Sequence, residues 1–187
     1  MPLYVLRHAE SSANVAGLIA CDPATAVAGF GLTERGFEQV RTAKLPFGEA
    51  ERVRIVSSDF RRARETASTL AQRLGAPEPE LSVLLRERNF APFEGQTSDH
   101  YKTVWAHDAA GTNCPGVETI EEVCLRLDAL LVWLRSGASN FASTILVSHG
   151  DVLQIFLARE LDMPARLHRS LEPLMNAECR AVGLRIN

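Results

Sequence analysis

Three short stretches constrain this chain more than any other feature: LYVLR (3–7), VRIVSS (53–58) and TILVS (144–148). Each is almost continuously apolar, as a strand is when both faces of its sheet are covered. Helical periodicity fills the intervals between them. Thr33 can cap a helix that runs to about Lys44, ahead of Pro46. Asp59 can cap a second, in which Phe60, Ala63, Ala67, Leu70, Ala71 and Leu74 share one face and Gly75 supplies the stop. Thr119 and Glu122 fit a capping box ahead of Val123, Leu127, Leu130, Leu131 and Leu134. DVLQIFLAREL (151–161) reads as a helix that ends before Pro164. LSVLL (81–85) and RAVGLRI (180–186) read as further strands, and the small, Gly/Ala-rich stretch 15–31 as a loop. This alternation predicts an α/β protein: a three-layer α/β/α sandwich with a mostly parallel central sheet, in one domain over 1–187.

In such folds ligands sit beyond the carboxyl ends of the strands. Three predicted ends carry polar groups: Arg7-His8, Ser57-Ser58 and Ser148-His149-Gly150. An isolated Arg-His pair is more often a surface charge beside a turn histidine; three such ends on one sheet edge point to a site. The formal net charge of −3 gives no basis for binding nucleic acid or an anionic membrane. Any anion site must therefore be a local concentration of positive charge created by folding.

Five segments resemble, in order, the motifs of the histidine phosphatase superfamily, whose members share the phosphoglycerate mutase-like fold. LRHAESSAN (6–14) is similar to its phosphohistidine signature, R-H-G-E/Q-T-x-x-N. LTERGFEQV (32–40) is similar to L-T-x-x-G-x-x-Q-A, and SSDFRRARETA (57–67) to S-S-x-L-x-R-A-x-x-T-A. LRERNFAPFEG (85–95) is similar to L-x-E-x-x-F-G-x-W-E-G, and VSHGDVL (147–153) to V-S-H-G-G-x-I. Each is weak alone; five in sequence order are specific.

The resemblance implies a role for each matched residue. His8 is the nucleophile that becomes phosphorylated, a role that suits a neutral imidazole held in one tautomer. Arg7 and Arg62 clamp the phosphoryl group, for which a forked guanidinium is suited; Arg61 and Arg64 stay in solvent. His149, with Gly150 beside it, is a phosphate ligand that stabilises the transition state. Asn14 helps to hold the phosphoryl group, or is an ordinary loop-turn asparagine. Glu87 gives a proton to the leaving group and then serves as base for water, whereas Glu94 belongs to a structural E-G turn and Glu10 orders its loop. The chain departs from the motifs at Ala9 and Ala91, where glycine is usual. Ala9 requires a backbone that tolerates Cβ, and Ala91-Pro92 leaves the shape of the pocket wall after Glu87 open.

The family divides into phosphatases and mutases, and mutases carry added sequence between the acid glutamate and the second histidine. The short interval from Glu87 to His149 favours a phosphatase acting on a small-molecule phosphorylated substrate, without cofactor or metal. Mutase-type transfer, a protein phosphohistidine phosphatase and a non-catalytic phosphate-binding regulator are the alternatives. Residues 96–118 occupy the place of the family's substrate lid; they form either that lid or an amphipathic helix with Tyr101, Val104 and Trp105 in the core. Glu118 and Thr119 are expected to border the pocket. The scattered Cys21, Cys114, Cys124 and Cys179 suggest neither a disulfide framework nor a zinc site. With no leader or membrane span evident, the cytoplasm is the expected location. Oligomeric state is left open.

Overall fold

A computed structural model describes residues 1–48, 52–136 and 141–185. Its elements run β1 (Pro2–Arg7), α1 (Ser12–Ala16), α2 (Pro23–Ala26), α3 (Glu34–Thr42), β2 (Val53–Ser57), α4 (Arg61–Leu74), β3 (Glu80–Leu81), α5 (His100–Ala109), α6 (Ile120–Ser136), β4 (Ser143–Ser148), α7 (Gly150–Glu160) and β5 (Cys179–Arg185). The strands form one sheet in the order β3-β2-β4-β1-β5. β1 and β2 both pair parallel with β4, and β2 pairs parallel with β3; only β5 is antiparallel. Residue 186, read as part of the last strand, lies outside the described residues.

The near-continuous apolarity of the strands has a direct cause. Leu3, Val5, Val56 and Leu146 pack against α6 and α7 on one face, while Tyr4, Leu6, Ile55, Ile145 and Val147 face α3 and α4 on the other. Alternate residues of a strand point to opposite faces, so both registers must be apolar. The result is the expected three-layer sandwich. A third, smaller cluster of Ile19, Cys21, Phe90, Val104, Cys114 and Val117 lies beneath the loops.

Three local expectations are corrected. LSVLL is not one strand: Glu80–Leu81 pair with β2, and Val83–Leu85 make a 3-10 turn capped by Ser82. Asp59 does not cap α4; its carboxylate forms a two-pronged ion pair with Arg86 (2.8 and 2.6 Å), and Phe60 occupies the cap position with no side-chain bond. Residues 15–31 are not all loop. Ser11 and Asn14 close a capping box on α1, and Asp22 caps α2 ahead of Pro23. Elsewhere the expected signals operate: Thr33 caps α3, Thr119 and Glu122 cap α6, and Gly75 ends α4 at φ +59°. No helix among the described residues is long and apolar enough to cross a membrane.

Candidate active site

The sheet register places the site. Arg7 is paired with Ser148, and Ser57 with Val147, so β1, β2 and β4 end on one edge. There the His8 N–H donates to the Ser148 carbonyl (2.9 Å) and the Ser58 N–H to the Val147 carbonyl (2.9 Å). The other side of the Arg7-His8 backbone is held by the segment before β5. Ala177 donates its N–H to the Arg7 carbonyl (3.1 Å), and Asn176 donates Nδ2 to the His8 carbonyl (3.0 Å). Ala177 reaches that position at φ +59°, a conformation that costs a non-glycine residue about 1 kcal/mol.

Ala9 is fully buried, keeps a negative φ and donates its N–H to Thr66 Oγ1 (3.0 Å), so the departure from glycine is accommodated. The loop after it is ordered as expected. Glu10 Oε1 accepts from Thr33 Oγ1 (2.8 Å), and a Cβ at Gly36 would collide with the Glu10 carbonyl oxygen.

His8 is 3% exposed, and its two ring nitrogens have different partners. Nδ1 faces the Ala9 carbonyl at 2.8 Å, and a carbonyl only accepts, so Nδ1 carries the proton. Nε2 accepts from Arg62 Nε at 3.2 Å, and a guanidinium only donates, so Nε2 keeps its lone pair. Burial first, then the charges of Arg62 and Arg7, holds the imidazole proton affinity well below its ordinary value. The geometry thus produces a neutral imidazole in one tautomer, its Nε2 lone pair held by the guanidinium of Arg62.

Arg62 stands in the first turn of α4, 4% exposed, with Nη2 bonded to the Ala20 carbonyl (2.9 Å). Stretch 15–31 therefore has a defined structural role, since it carries the carbonyl that seats this guanidinium. Glu94 holds that stretch in place by accepting from the Cys21 N–H (2.7 Å), the Asp22 N–H (3.1 Å) and Thr25 Oγ1 (3.0 Å). This agrees with its structural reading. Arg7 anchors Nη1 on the Leu174 carbonyl (2.7 Å). Arg7 Nε, Arg62 Nη1 and His149 Nδ1 are buried without a partner among the described residues. The His149 ring is edge-on to His8, centroids 5.2 Å apart, and its Nε2 meets Ser58 Oγ at 2.9 Å. That hydroxyl also accepts from the Phe60 N–H (3.2 Å).

A cavity of about 270 Å³ contains Arg7, His8, Asn14, Arg62, Glu87 and Gly150 in its lining, at the lower edge of small-molecule sites, which run about 300–1,000 Å³. Glu87 has its proton affinity pushed up to about 7, by burial first and by the Asp151 carboxylate second, against the opposing charges of Arg62 and Arg7. Asn14 is exposed at the rim; its Oδ1 accepts from the Ser11 N–H and Oγ in the capping box, so the turn role and a place in the pocket coexist. Arg61 is about half exposed in an ion pair with Glu65 (2.6 Å). Ala91-Pro92 forms a short 3-10 turn and leaves Glu87 in the wall. Glu118 does not border this cavity. It pairs with Arg126 (2.7 Å) and lines a neighbouring cavity that also reaches Glu87, while Thr119 serves as a cap.

Residues 96–118 combine both expectations. α5 buries Val104 in the third cluster, while Tyr101 and Trp105, half-buried, turn to the cavity. Sequence reasoning missed what lies behind them. Arg88 and Asp108 form a buried two-pronged ion pair (2.6 and 2.9 Å). Arg88 also reaches Asp151 Oδ2 (3.3 Å), whose Oδ1 takes Trp105 Nε1 (2.8 Å) and faces His168 Nε2 (2.9 Å). One signal was available: Asp151 stands where VSHGDVL departs from the second glycine of its motif. Removing one partner of a buried pair strands the other charge. Asp108→Ala is therefore expected to lower unfolding stability by about 3–5 kcal/mol, checked by urea titration against wild type; a loss under about 1 kcal/mol refutes the buried pairing.

Cations gathered around a neutral imidazole at the carboxyl edge of an α/β sheet define a protein built for phosphoryl chemistry. The chain belongs to the histidine phosphatase superfamily (branch 1), which it matches over residues 3–185, and is a phosphatase of that class. It is 30% identical to the adenosylcobalamin/alpha-ribazole phosphatase of Salmonella typhimurium over 88% of this chain and 82% of that one. It is 27% identical to the glucosyl-3-phosphoglycerate phosphatase of Mycobacterium tuberculosis over 94% and 82%. The solved structure of mycobacterial glucosyl-3-phosphoglycerate phosphatase with VO3 superposes with a TM-score of 0.80 at 26% identity, covering 96% of this chain and 91% of that chain.

Proposed function

We propose that the chain hydrolyses small phosphomonoesters in two steps at His8. In the first, the Nε2 lone pair attacks phosphorus, and the ester oxygen leaves with the proton of Glu87. In the second, the Glu87 carboxylate takes a proton from water, whose oxygen attacks phosphorus and returns His8 to its neutral form. The observation that carries this reading is the fixed tautomer of His8, with its Nδ1–H donated to the Ala9 carbonyl and its Nε2 lone pair toward Arg62.

The surrounding groups suit the developing charge. Arg7 and Arg62 line the cavity and supply guanidinium donors for the equatorial phosphoryl oxygens, which is where stabilisation counts in such transfers, while His149 is fully buried edge-on to His8. A phosphate oxygen competes with His8 for the Arg62 Nε–H, so binding the ester frees the attacking lone pair. The N-termini of α4 and α7, neither with a side-chain cap, lie at the same edge and favour an anion. Tyr101 and Trp105 narrow the cavity, which supports a small ester over a phosphorylated protein.

The test is to trap the phosphoenzyme by rapid quench with a radiolabelled ester. The expected label is acid-labile and base-stable, as a phosphoramidate is, and turnover persists in excess chelator. A base-labile, acid-stable label points to an acyl phosphate or phosphoserine and refutes the mechanism.

A further inference from the structure

The cavity contains a third arginine that the two-step mechanism leaves unused. Arg169 belongs to the 3-10 segment Ala165–Ser170, which packs against α5 and α7, and it lines the same cavity as His8 and Arg7. Its guanidinium lies 3.8 Å from the Trp105 ring centroid. Trp105 is itself fixed, stacked on Tyr101 at 5.4 Å with 9° between the planes, and bonded through Nε1 to Asp151. Arg169 Nη1 donates to Gln154 Oε1. Its Nε and Nη2 make no hydrogen bond among the described residues, and no carboxylate there lies within ion-pair distance of it. Asp151 is nearby, but its oxygens are already engaged by Trp105, His168 and Arg88.

Charge counting gives this arginine a purpose. A phosphomonoester carries about two negative charges near neutrality, and Arg7 and Arg62 match them. Arg169 is a further cation, half-buried and held in place by an aromatic stack, with one edge of its fork unengaged. That edge matches the two oxygens of a carboxylate or of a phosphate. A neutral alcohol tail offers it neither charge nor paired acceptors.

Resting on the mechanism at His8, we propose that Arg169 determines specificity by pairing with a second anionic group of the substrate, a carboxylate or a second phosphate, beyond the ester that is cleaved. The preferred substrates are then small phosphomonoesters with an additional anionic group within a few bonds of the reacting phosphate.

The experiment compares kcat/KM for three short esters in wild type, Arg169→Met and Arg169→Lys. The esters are glycerol 3-phosphate, 3-phosphoglycerate and propane-1,3-diol bisphosphate, which differ in carrying no second anion, a carboxylate or a phosphate. Wild type is expected to favour at least one doubly anionic ester over glycerol 3-phosphate, by on the order of tenfold or more. Arg169→Met should erase most of that ratio, chiefly through KM, and Arg169→Lys should keep part of it. The ester whose ratio collapses identifies the second anion. The absence of a wild-type preference overturns the proposal, and so does an equal loss on all three esters; the wild-type and lysine measurements decide even if the methionine variant folds poorly. His8→Asn separates the two levels. If turnover survives it, the mechanism has failed; if turnover depends on His8 but ignores Arg169, only the specificity assignment has failed.

Discussion

Replacing His8 with asparagine is expected to lower kcat by on the order of 10⁴-fold or more, the scale on which removal of a covalent nucleophile acts. Asparagine is the informative choice because it stays neutral and its amide N–H can still reach the Ala9 carbonyl, leaving the buried wall packed. Arg7, Arg62 and His149 remain, so ester binding should persist while turnover and phosphoenzyme label disappear together. Kinetics on p-nitrophenyl phosphate and quench labelling measure both; turnover within tenfold of wild type would remove His8 from the mechanism. A second readout is independent of substrate. His8 resists protonation in the folded state, mainly through burial, while in the unfolded chain it gains a proton below about pH 6.5. The unfolded state then binds more protons, so wild-type stability falls as pH drops through that range, by up to about 1.4 kcal/mol per pH unit for this residue. The asparagine variant loses that contribution and should be less sensitive to acid.

Much of this site was legible because its chemistry sits where chain geometry is simple. Arg7-His8 and Ser148-His149 each follow an apolar run that can only be a buried strand, and parallel pairing through β4 brings their ends together. Arg62 was distinguishable from Arg61 and Arg64 by its motif position, and the structure gives the physical counterpart: it is buried against His8, whereas Arg61 pairs with Glu65 near solvent. Where the reading failed, a long-range partner competed with a local rule. Asp59 is a good cap in isolation, but Arg86 offers its carboxylate a two-pronged ion pair. LSVLL has strand composition, yet Ser82 caps a 3-10 turn that draws all but its first residue out of the sheet.

The polar network behind the cavity was invisible for a related reason. Asp108, Asp151 and His168 lie on three different elements and Arg88 on the segment after Val83–Leu85, and nothing in their spacing announces that they meet. Burying such a group costs stability unless every partner is in place, so the network is more than packing. It holds Trp105 and places the Asp151 charge near Glu87. Trp105, on which Arg169 stacks, and the raised proton affinity of Glu87 therefore share one support.

That coupling makes Glu87→Gln the second large effect, with a pH signature. The proposed first step needs Glu87 protonated, and burial with the Asp151 charge pushes its proton affinity up to about 7. Wild-type kcat/KM should therefore fall about tenfold per pH unit above that value. The acid side is governed by the substrate, whose second phosphate ionisation lies near 6, because His8 stays neutral well below its ordinary range. Glutamine cannot donate a proton as an acid does, so the variant should lose about 10²–10⁴ in rate and also lose the alkaline limb. The loss should be greatest for alkyl phosphates, whose alkoxide leaving groups need the proton, and least for p-nitrophenyl phosphate. With that ester the first step can outrun the second, where the missing base stalls hydrolysis, and a burst of p-nitrophenol near one equivalent of enzyme is expected. An alkaline limb that survives the substitution, or a loss independent of leaving group, would assign the acid to another residue.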